Sequence, residues 1–184
     1  MERVLAQNIY DLLEFFEGYS RLPRSVRGLD GAPEWGAIRA ILPDLSGKSI
    51  VDLGCGFGWF ARWARSQGAS HVLGLDLSRN MLSRAQAETK DPAVQYAIAD
   101  LEKLELPEGI FDLAYSSLAL HYIQDFGKLV HTVRHALVSD GQFIFTIEHP
   151  IYMAPTHPQW LVEKDGRKLW PIESYAIEGM RMTE

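Results

Sequence analysis

The sequence predicts an open α/β layer sandwich on a mostly parallel sheet, and three observations carry that expectation. Short apolar runs alternate repeatedly with amphipathic segments of helical period between residues 49 and 147. The run Ser49-Ile50-Val51-Asp52-Leu53 is almost continuously apolar, as a strand covered on both faces is. It enters a glycine cluster, where a parallel strand turns into its crossover helix.

In chain order, Leu5, Ile9, Leu12, Leu13 and Phe16 recur at helical spacing and predict an amphipathic helix from Val4 to Phe16, stopped near Gly18. Pro23, Gly28, Gly31 and Pro33 lie among arginines and predict a loop over Ser20–Pro33. A short helix follows from Glu34 to Leu42, ended by Pro43. Ser49–Leu53 is the first strand, Trp59–Gln67 a helix closed by Gly68, and His71–Asp76 the second strand. Ser78 caps a helix over Arg79–Lys90 whose inner face is Met81, Leu82 and Ala85. Val94–Ile98 is a third strand ending at Asp100, and Phe111–Ser116 a fourth, preceded by a Pro107-Glu108-Gly109 turn. A helix over Phe126–Leu137 leads through Asp140-Gly141 to a fifth strand, Gln142–Ile147. Beyond it, Asp165-Gly166 between Trp160–Glu163 and Arg167–Trp170 predicts a hairpin. The final Arg181-Met182-Thr183-Glu184 shows no strand or helix signal.

Composition bounds the function. With 184 residues, 47% of them hydrophobic, the chain is one domain able to bury a core. Eighteen basic against 24 acidic residues leave a net charge of −6 and no basic cluster, so a duplex-binding surface is not expected. One cysteine excludes an internal disulfide. The start, Met1 to Asn8, is broken by polar residues before a signal-peptide core develops, and no run reaches the roughly 20 apolar residues of a membrane span. A cytoplasmic protein is expected.

The densest chemistry lies in Val51-Asp52-Leu53-Gly54-Cys55-Gly56-Phe57-Gly58, between a strand and a helix. Open α/β sheets bind ligands beyond the carboxyl ends of their strands, where strand order reverses. Glycines there let the backbone approach a ligand closely, and the following helix offers unpaired N–H groups. A dinucleotide fingerprint would carry its third glycine where Trp59 stands. Asp52 at the strand end would repel a pyrophosphate and hold a cation. Asp76 ends the next strand, and its carboxylate can accept from both hydroxyls of a ribose.

These residues resemble class I S-adenosylmethionine-dependent methyltransferases, in particular the small-molecule group called methyltransferase type 11. The match runs over about residues 46–150 and includes Gly74-Leu75-Asp76-Leu77-Ser78 with Met81-Leu82, Ala99-Asp100-Leu101 and Phe111-Asp112-Leu113-Ala114-Tyr115-Ser116. The resemblance implies a three-layer Rossmann-like sandwich with S-adenosyl-L-methionine as cofactor and S-adenosyl-L-homocysteine as product. It further implies that Gly54, Cys55, Gly56 and Gly58 cradle the methionine moiety, with Asp52 near its ammonium. Asp76 would take the ribose, Leu77 and Met81 the adenine face, Asp100 and the Leu101 N–H the adenine edge. Ser116 would lie beside the sulfonium. The Cys55 side chain is expected to be passive.

Methyl transfer is an in-line displacement, so placing the acceptor matters most and a base helps only some acceptors. The segment Ser116-Ser117-Leu118-Ala119-Leu120-His121-Tyr122 lacks the Pro-Pro-aromatic pattern of enzymes acting on exocyclic or amide nitrogens. That counts against adenine in DNA or glutamine in protein, and the resemblance implies a small-molecule acceptor. His121 is the candidate base, with packing under a substrate loop as the competing explanation. His131 and His135 sit four apart but without a third ligand, so no metal is expected. By analogy, residues 148–184 form a substrate cover in which Glu148, His149, Tyr152, Met153 and Trp160 are candidate walls, with His157-Pro158 in the same loop. Residues 1–45 form a helical lip, and Tyr19, Arg21 or Arg24 could face the cofactor there, an arginine pairing with the methionine carboxylate.

Residues 46–147 form the cofactor-binding core. Too few residues follow Ile147 for the family's two closing edge strands, so a shortened C-terminal edge is expected. It would leave the fifth strand open to self-pairing in a homo-oligomer. Two alternatives remain at this stage: a cofactor-binding or interaction domain without turnover, and a nicotinamide-dependent oxidoreductase.

Overall fold

The computed structural model describes residues 8–153, 155, 159–172 and 175–176. Two compact units divide the chain at Thr146 and Ile147. In the first, five strands, β1 (Ser49–Leu53), β2 (His71–Asp76), β3 (Val94–Ile98), β4 (Phe111–Ser117) and β5 (Leu137–Thr146), form one sheet of order β3-β2-β1-β4-β5. Every pairing in it is parallel. The order reverses between β1 and β4, which makes their carboxyl ends the switch point of the fold.

The helices are α1 (Leu13–Ser20), α2 (Pro23–Val26), α3 (Trp35–Ile41), α4 (Trp59–Ser66), α5 (Arg79–Glu88) and α6 (Phe126–Ala136). Side chains alternate along a strand, so β1 feeds both faces of the sheet. Ile50 packs with Trp35, Ile38, Phe60 and Ala64 beneath α3 and α4. Val51 and Leu53 pack with Leu129, Val133 and Ala136 of α6. Three layers result, and Asp52, two residues from Ile50, falls on the α3–α4 side.

The strand tips and crossover helices match the expected spans closely, and Ser78 caps α5 by accepting from the Met81 N–H at 3.1 Å. Four expectations change. The N-terminal helix is broken at Leu12, whose ψ of 124° is extended. A 3-10 turn over Ile9–Asp11 precedes α1, and α1 runs through Gly18 rather than stopping there. One exposed glycine costs a helix only about 1 kcal/mol, too little to end it. The Val4 part of that expectation lies outside the described residues. The loop predicted over Ser20–Pro33 contains α2, started by Pro23 at its first position, and a 3-10 turn over Gly28–Gly31. Asp140-Gly141 is not a turn: β5 continues through it, and the extra residues form a register shift between Phe111↔Leu137 and Leu113↔Gln142.

The second unit holds the expected hairpin, β6 (Leu161–Val162) against β7 (Lys168–Leu169), closed by the Gly166 N–H donating to Glu163 O. It also holds a helical turn, α7 (Pro150–Met153), where a loop was expected. There the Trp170 ring stacks on Tyr152 at 5.1 Å, and its Nε1 donates to Ile151 O at 2.9 Å. Trp160 meets the same indole edge-on. The Met153 side chain, His157-Pro158 and the last residues lie outside the described set. Among the described residues no sixth strand joins the parallel sheet, and β5 borders β4 alone.

Candidate functional site

β1 ends in a loop whose glycines serve different masters. Gly56 has a φ of +51°, and a Cβ there would meet nothing within 4 Å, so its backbone borders open space. Gly58 has a φ of +71° and caps α4, but a Cβ on it would collide with the Tyr96 hydroxyl. Tyr96 lies across Gly58 and Gly74 and shares a hydrogen bond with Thr89 Oγ1 at 3.0 Å. The last glycine of the loop therefore makes room for a tyrosine of β3 behind it.

Asp76 ties the two motifs together. Its Oδ2 accepts from the Gly56 N–H at 2.8 Å and its Oδ1 from the Ser78 N–H at 2.9 Å. Each oxygen keeps a lone pair for a further donor. Burial raises the Asp76 pKa, and these backbone donors pull it back down. Asp52 is more extreme: it is 2% exposed, and its Oδ2 has no hydrogen-bond partner among the described residues. Burial, reinforced by the charge of Asp76, pushes its carboxyl well above the usual carboxylate range.

Two cavities meet at the loop. The front cleft, of about 110 Å³, is lined by Gly54, Gly56, Asp76, Leu77 and Met81 together with Ala99, Leu101 and Ile123. The back cavity, of about 90 Å³, reaches Arg24, Ser25, Asp52 and Trp59. Tyr19, Gly54, Gly56 and Ser117 line both.

The N-terminal segment spans the front cleft. Its Asp11 carboxylate accepts from Ser78 Oγ at 2.6 Å and from the Asn80 N–H at 3.1 Å, seating the segment on the start of α5. Those donors hold the Asp11 carboxyl below its ordinary pKa against a desolvation that pushes the other way. On the opposite rim the hydroxyls of Tyr10 and Tyr122 lie 3.3 Å apart. Tyr10, Tyr19 and Tyr122 thus wall the mouth.

Of the residues expected from sequence, Gly54, Gly56, Asp76, Leu77, Met81 and Leu101 come together around the front cleft. Asp52 faces the back cavity instead. Cys55 is buried, its thiol raised by that burial, and it contributes to the back wall. Ser116 is fully buried, and its hydroxyl is spent on Leu53 O at 2.7 Å, so it reaches neither cavity; Ser117 lines both. The Asp100 side chain caps a 3-10 turn by accepting from the Glu102 N–H at 3.0 Å, and its neighbours Ala99 and Leu101 line the cleft. His121 sits on a 3-10 turn with its ring against Tyr122. It is not among the residues lining either cavity. Arg21 points to solvent beside Glu17, while Arg24 reaches the site. The His131 and His135 rings stack in solvent, and no metal-binding group of three side chains occurs among the described residues.

Sequence reasoning missed Ser117, Asp11, Ser25 and Glu34, the last of which accepts from Arg24 Nη2 at 2.9 and 3.0 Å. Ser117 was legible as the next residue along β4. The other three carry no local pattern that marks them.

A parallel sheet with a glycine loop at its switch point, an aspartate at the next strand tip and an apolar wall beyond it is a nucleoside-binding arrangement, and similarity to known proteins assigns it to the methyltransferase class. The methyltransferase domain family matches residues 51–145, and the chain belongs to it. A solved S-adenosylmethionine-dependent methyltransferase from Mesorhizobium loti is 59% identical with a TM-score of 0.81, over 84% of this chain and 70% of that one. An uncharacterized protein of Haemophilus influenzae is 36% identical over 95% of this chain and 72% of its own length. The malonyl-[acyl-carrier protein] O-methyltransferase of Pseudescherichia vulneris is 36% identical over 61% of this chain, which spans 43% of that enzyme. Phosphoethanolamine N-methyltransferase 2 of Haemonchus contortus, solved with S-adenosyl-L-methionine, is 29% identical with a TM-score of 0.68, over 79% of this chain and 36% of that one.

This chain is an S-adenosylmethionine-dependent methyltransferase. The residues present fit that cofactor. Gly56 opens onto the cleft, Asp76 has spare acceptor capacity, and the orphaned Asp52 oxygen calls for a cationic or donor group. No helix among the described residues is long and apolar enough to cross a membrane.

Proposed function

We propose that the chain methylates a small-molecule acceptor in the cytoplasm. The observation that carries this reading is the front cleft, a slot of about 110 Å³ whose lining includes the rings of Tyr10, Tyr19 and Tyr122. A slot of that kind suits a small acceptor better than a folded protein or a duplex.

Within this reading Asp76 accepts from the ribose hydroxyls, and Leu77, Met81 and Leu101 pack on the adenine. Asp52 neutralises the ammonium of the amino-acid end, gaining in exchange the partner its buried oxygen lacks. The cofactor supplies a methyl group on a sulfonium, which leaves as a neutral thioether and needs no acid. The protein's work is therefore orientation and exclusion of water. The Asp11 and Tyr10 contacts hold the N-terminal segment over the cleft for both purposes. Ser117 stands where β4 meets the two cavities and is placed to orient the acceptor. His121 could serve as base only through a rearrangement that brings its ring into the cleft.

The test offers methyl-labelled S-adenosylmethionine with three acceptor sets: small carboxylic acids and their carrier thioesters, small phosphorylated amines, and a protein fraction. Label in one of the small-molecule sets is expected. Label confined to protein side chains would overturn the acceptor assignment.

A further inference from the structure

Leu118 is the one residue other than glycine with a positive φ among the described residues, at +52°. A left-handed leucine is strained, so something must hold it there. Its N–H donates to Thr146 of β5 twice over, to the backbone oxygen at 3.0 Å and to Oγ1 at 3.2 Å. Leu118 lines the front cleft, and Ser117 before it lines both cavities. The strained turn therefore sits where β4 gives way to the site. Its anchor, Thr146, lines neither cavity.

That anchor also sets a direction. Thr146 Oγ1 lies 3.3 Å from Ser117 Oγ, and Ser117 Oγ lies 3.5 Å from Glu34 Oε1. The ends of this chain permit one polarity. A backbone N–H only donates, so Thr146 Oγ1 accepts from Leu118. A carboxylate only accepts, and Arg24 Nη2 holds both oxygens of Glu34, so Ser117 donates to it. Ser117 has one proton, and spending it on Glu34 leaves Thr146 as the donor between the two hydroxyls. The Tyr115 phenol also adjoins Ser117. Burial raises its pKa, so it keeps its proton, and a neutral phenol competes poorly with a carboxylate for the serine proton. Toward a ligand in either cavity, Ser117 offers a lone pair and no proton.

A lone pair receives an O–H or N–H and repels a carboxylate. We propose that Thr146 and Glu34 are positioning residues that orient the Ser117 hydroxyl, and that Ser117 thereby selects methyl acceptors with a proton on the reacting atom, alcohols or amines, over carboxylates. This deepens the small-molecule reading above and rests on it. An acceptor whose proton lies on Ser117 keeps a lone pair for the methyl carbon. As that pair forms the new bond, the carbon–sulfur bond breaks and its electrons stay on sulfur, giving the neutral thioether of S-adenosylhomocysteine. An amine retains its proton and leaves as the methylated ammonium. A hydroxyl passes its proton to Ser117 while Ser117 passes its own to Glu34, which returns it to water.

The test presents the full chain and methyl-labelled S-adenosylmethionine with matched sets of amine, alcohol and carboxylate: propylamine, propanol and propionate; benzylamine, benzyl alcohol and benzoate; phosphoethanolamine, glycol phosphate and phosphoglycolate. Wild type should label an amine or alcohol about 10-fold or more faster than the matching carboxylate. With that acceptor, Thr146→Val should lower kcat about 10- to 30-fold and leave the S-adenosylhomocysteine dissociation constant unchanged. Thr146→Ser should restore most of the rate, and Ser117→Ala should narrow the preference over the matching carboxylate about 10-fold. A wild type that prefers carboxylates overturns the proposal, and so does a Thr146→Val enzyme as fast as wild type. A Thr146→Val enzyme that loses cofactor affinity in step with kcat, or that serine does not restore, marks a merely structural threonine and overturns it too. If wild type labels no member of any set, the small-molecule reading itself falls and takes the selection with it, a result distinct from a preference for carboxylates.

Discussion

At the tips of β1 and β2 the site residues lie at most a short loop and a crossover helix apart. They are joined by the Gly56 N–H on Asp76 Oδ2 and by the Gly54 and Cys55 N–H groups on Leu75 O. Tyr10, Tyr19 and Arg24 reach the same cavities from a different kind of segment. Residues 8–31 hold two 3-10 turns and two short helices, and α1 buries none of its residues. The strand tips are positioned by the sheet whether or not a ligand is present. The N-terminal segment is positioned largely by side chains, with Asp11 on α5, Tyr10 on Tyr122, and Phe16 and Tyr19 against Phe57, and only Ser25 and Gly28 of it are fully buried. The comparison teaches that the cofactor floor is rigid by construction, while its cover is held by bonds that each contribute little.

The strongest way to break this contrast is Asp76→Ala. It removes both the ribose acceptor and the tie to Gly56, and cofactor affinity should fall about 100-fold or more by calorimetry. An unchanged dissociation constant would show that the floor does not depend on that carboxylate. Next in size is Gly58→Ala, which combines a left-handed backbone with a collision against Tyr96. A loss of about 2–3 kcal/mol is expected, read as a melting temperature roughly 5–10 °C lower. Adding Tyr96→Phe should recover part of it, since the hydroxyl is the nearest atom in the way, with ring carbons at 2.8 and 3.0 Å behind it. No recovery would mean that the hydroxyl is not what sets the cost, leaving backbone strain and the ring carbons.

A third test uses pH. Burial raises the Asp52 pKa in the folded chain above its unfolded value. Between those two values the native state holds more protons than the unfolded state, so stability contributed there is present at low pH and lost as pH rises through the folded pKa. Asp52→Asn should flatten that decline in ligand-free protein, leaving the residual slope of Asp76, whose shift has the same sign. Parallel melting curves against pH for the two proteins would contradict it. The smallest effect is expected on the cover. Tyr10→Phe removes one exposed hydroxyl contact and should speed S-adenosylhomocysteine release about two- to fivefold in stopped flow, with stability nearly unchanged.

How far the sequence could be read follows the same division. Ser49–Leu53, His71–Asp76 and the Ser78 cap depend on neighbours a few residues away, and they were legible in the pattern of apolar runs. Gly18 and Asp140-Gly141 misled because a local turn signal yields where the surrounding element continues through it. An exposed helix tolerates the first at about 1 kcal/mol, and a strand with a register shift absorbs the second. Ser116 was read as the residue facing the reaction and Ser117 as its neighbour. Strand alternation decides between them, and it turns the Ser116 hydroxyl onto Leu53 O. Asp11, Ser25 and Glu34 had no chance of being found, because their partners Ser78, the back cavity and Arg24 are assembled only when distant segments meet.

By itself the sequence determined the layered sheet, the strand tips and the class of cofactor, because those rest on short-range periodicity and on glycine and aspartate at fixed spacing. Only the tertiary structure decided that Asp52 looks into a second cavity, that Gly58 yields to Tyr96, and that Asp11 and Tyr10 fasten a cover across the cleft. Those outcomes depend on burial and on contacts between residues far apart in the chain, and local pattern carries no record of either.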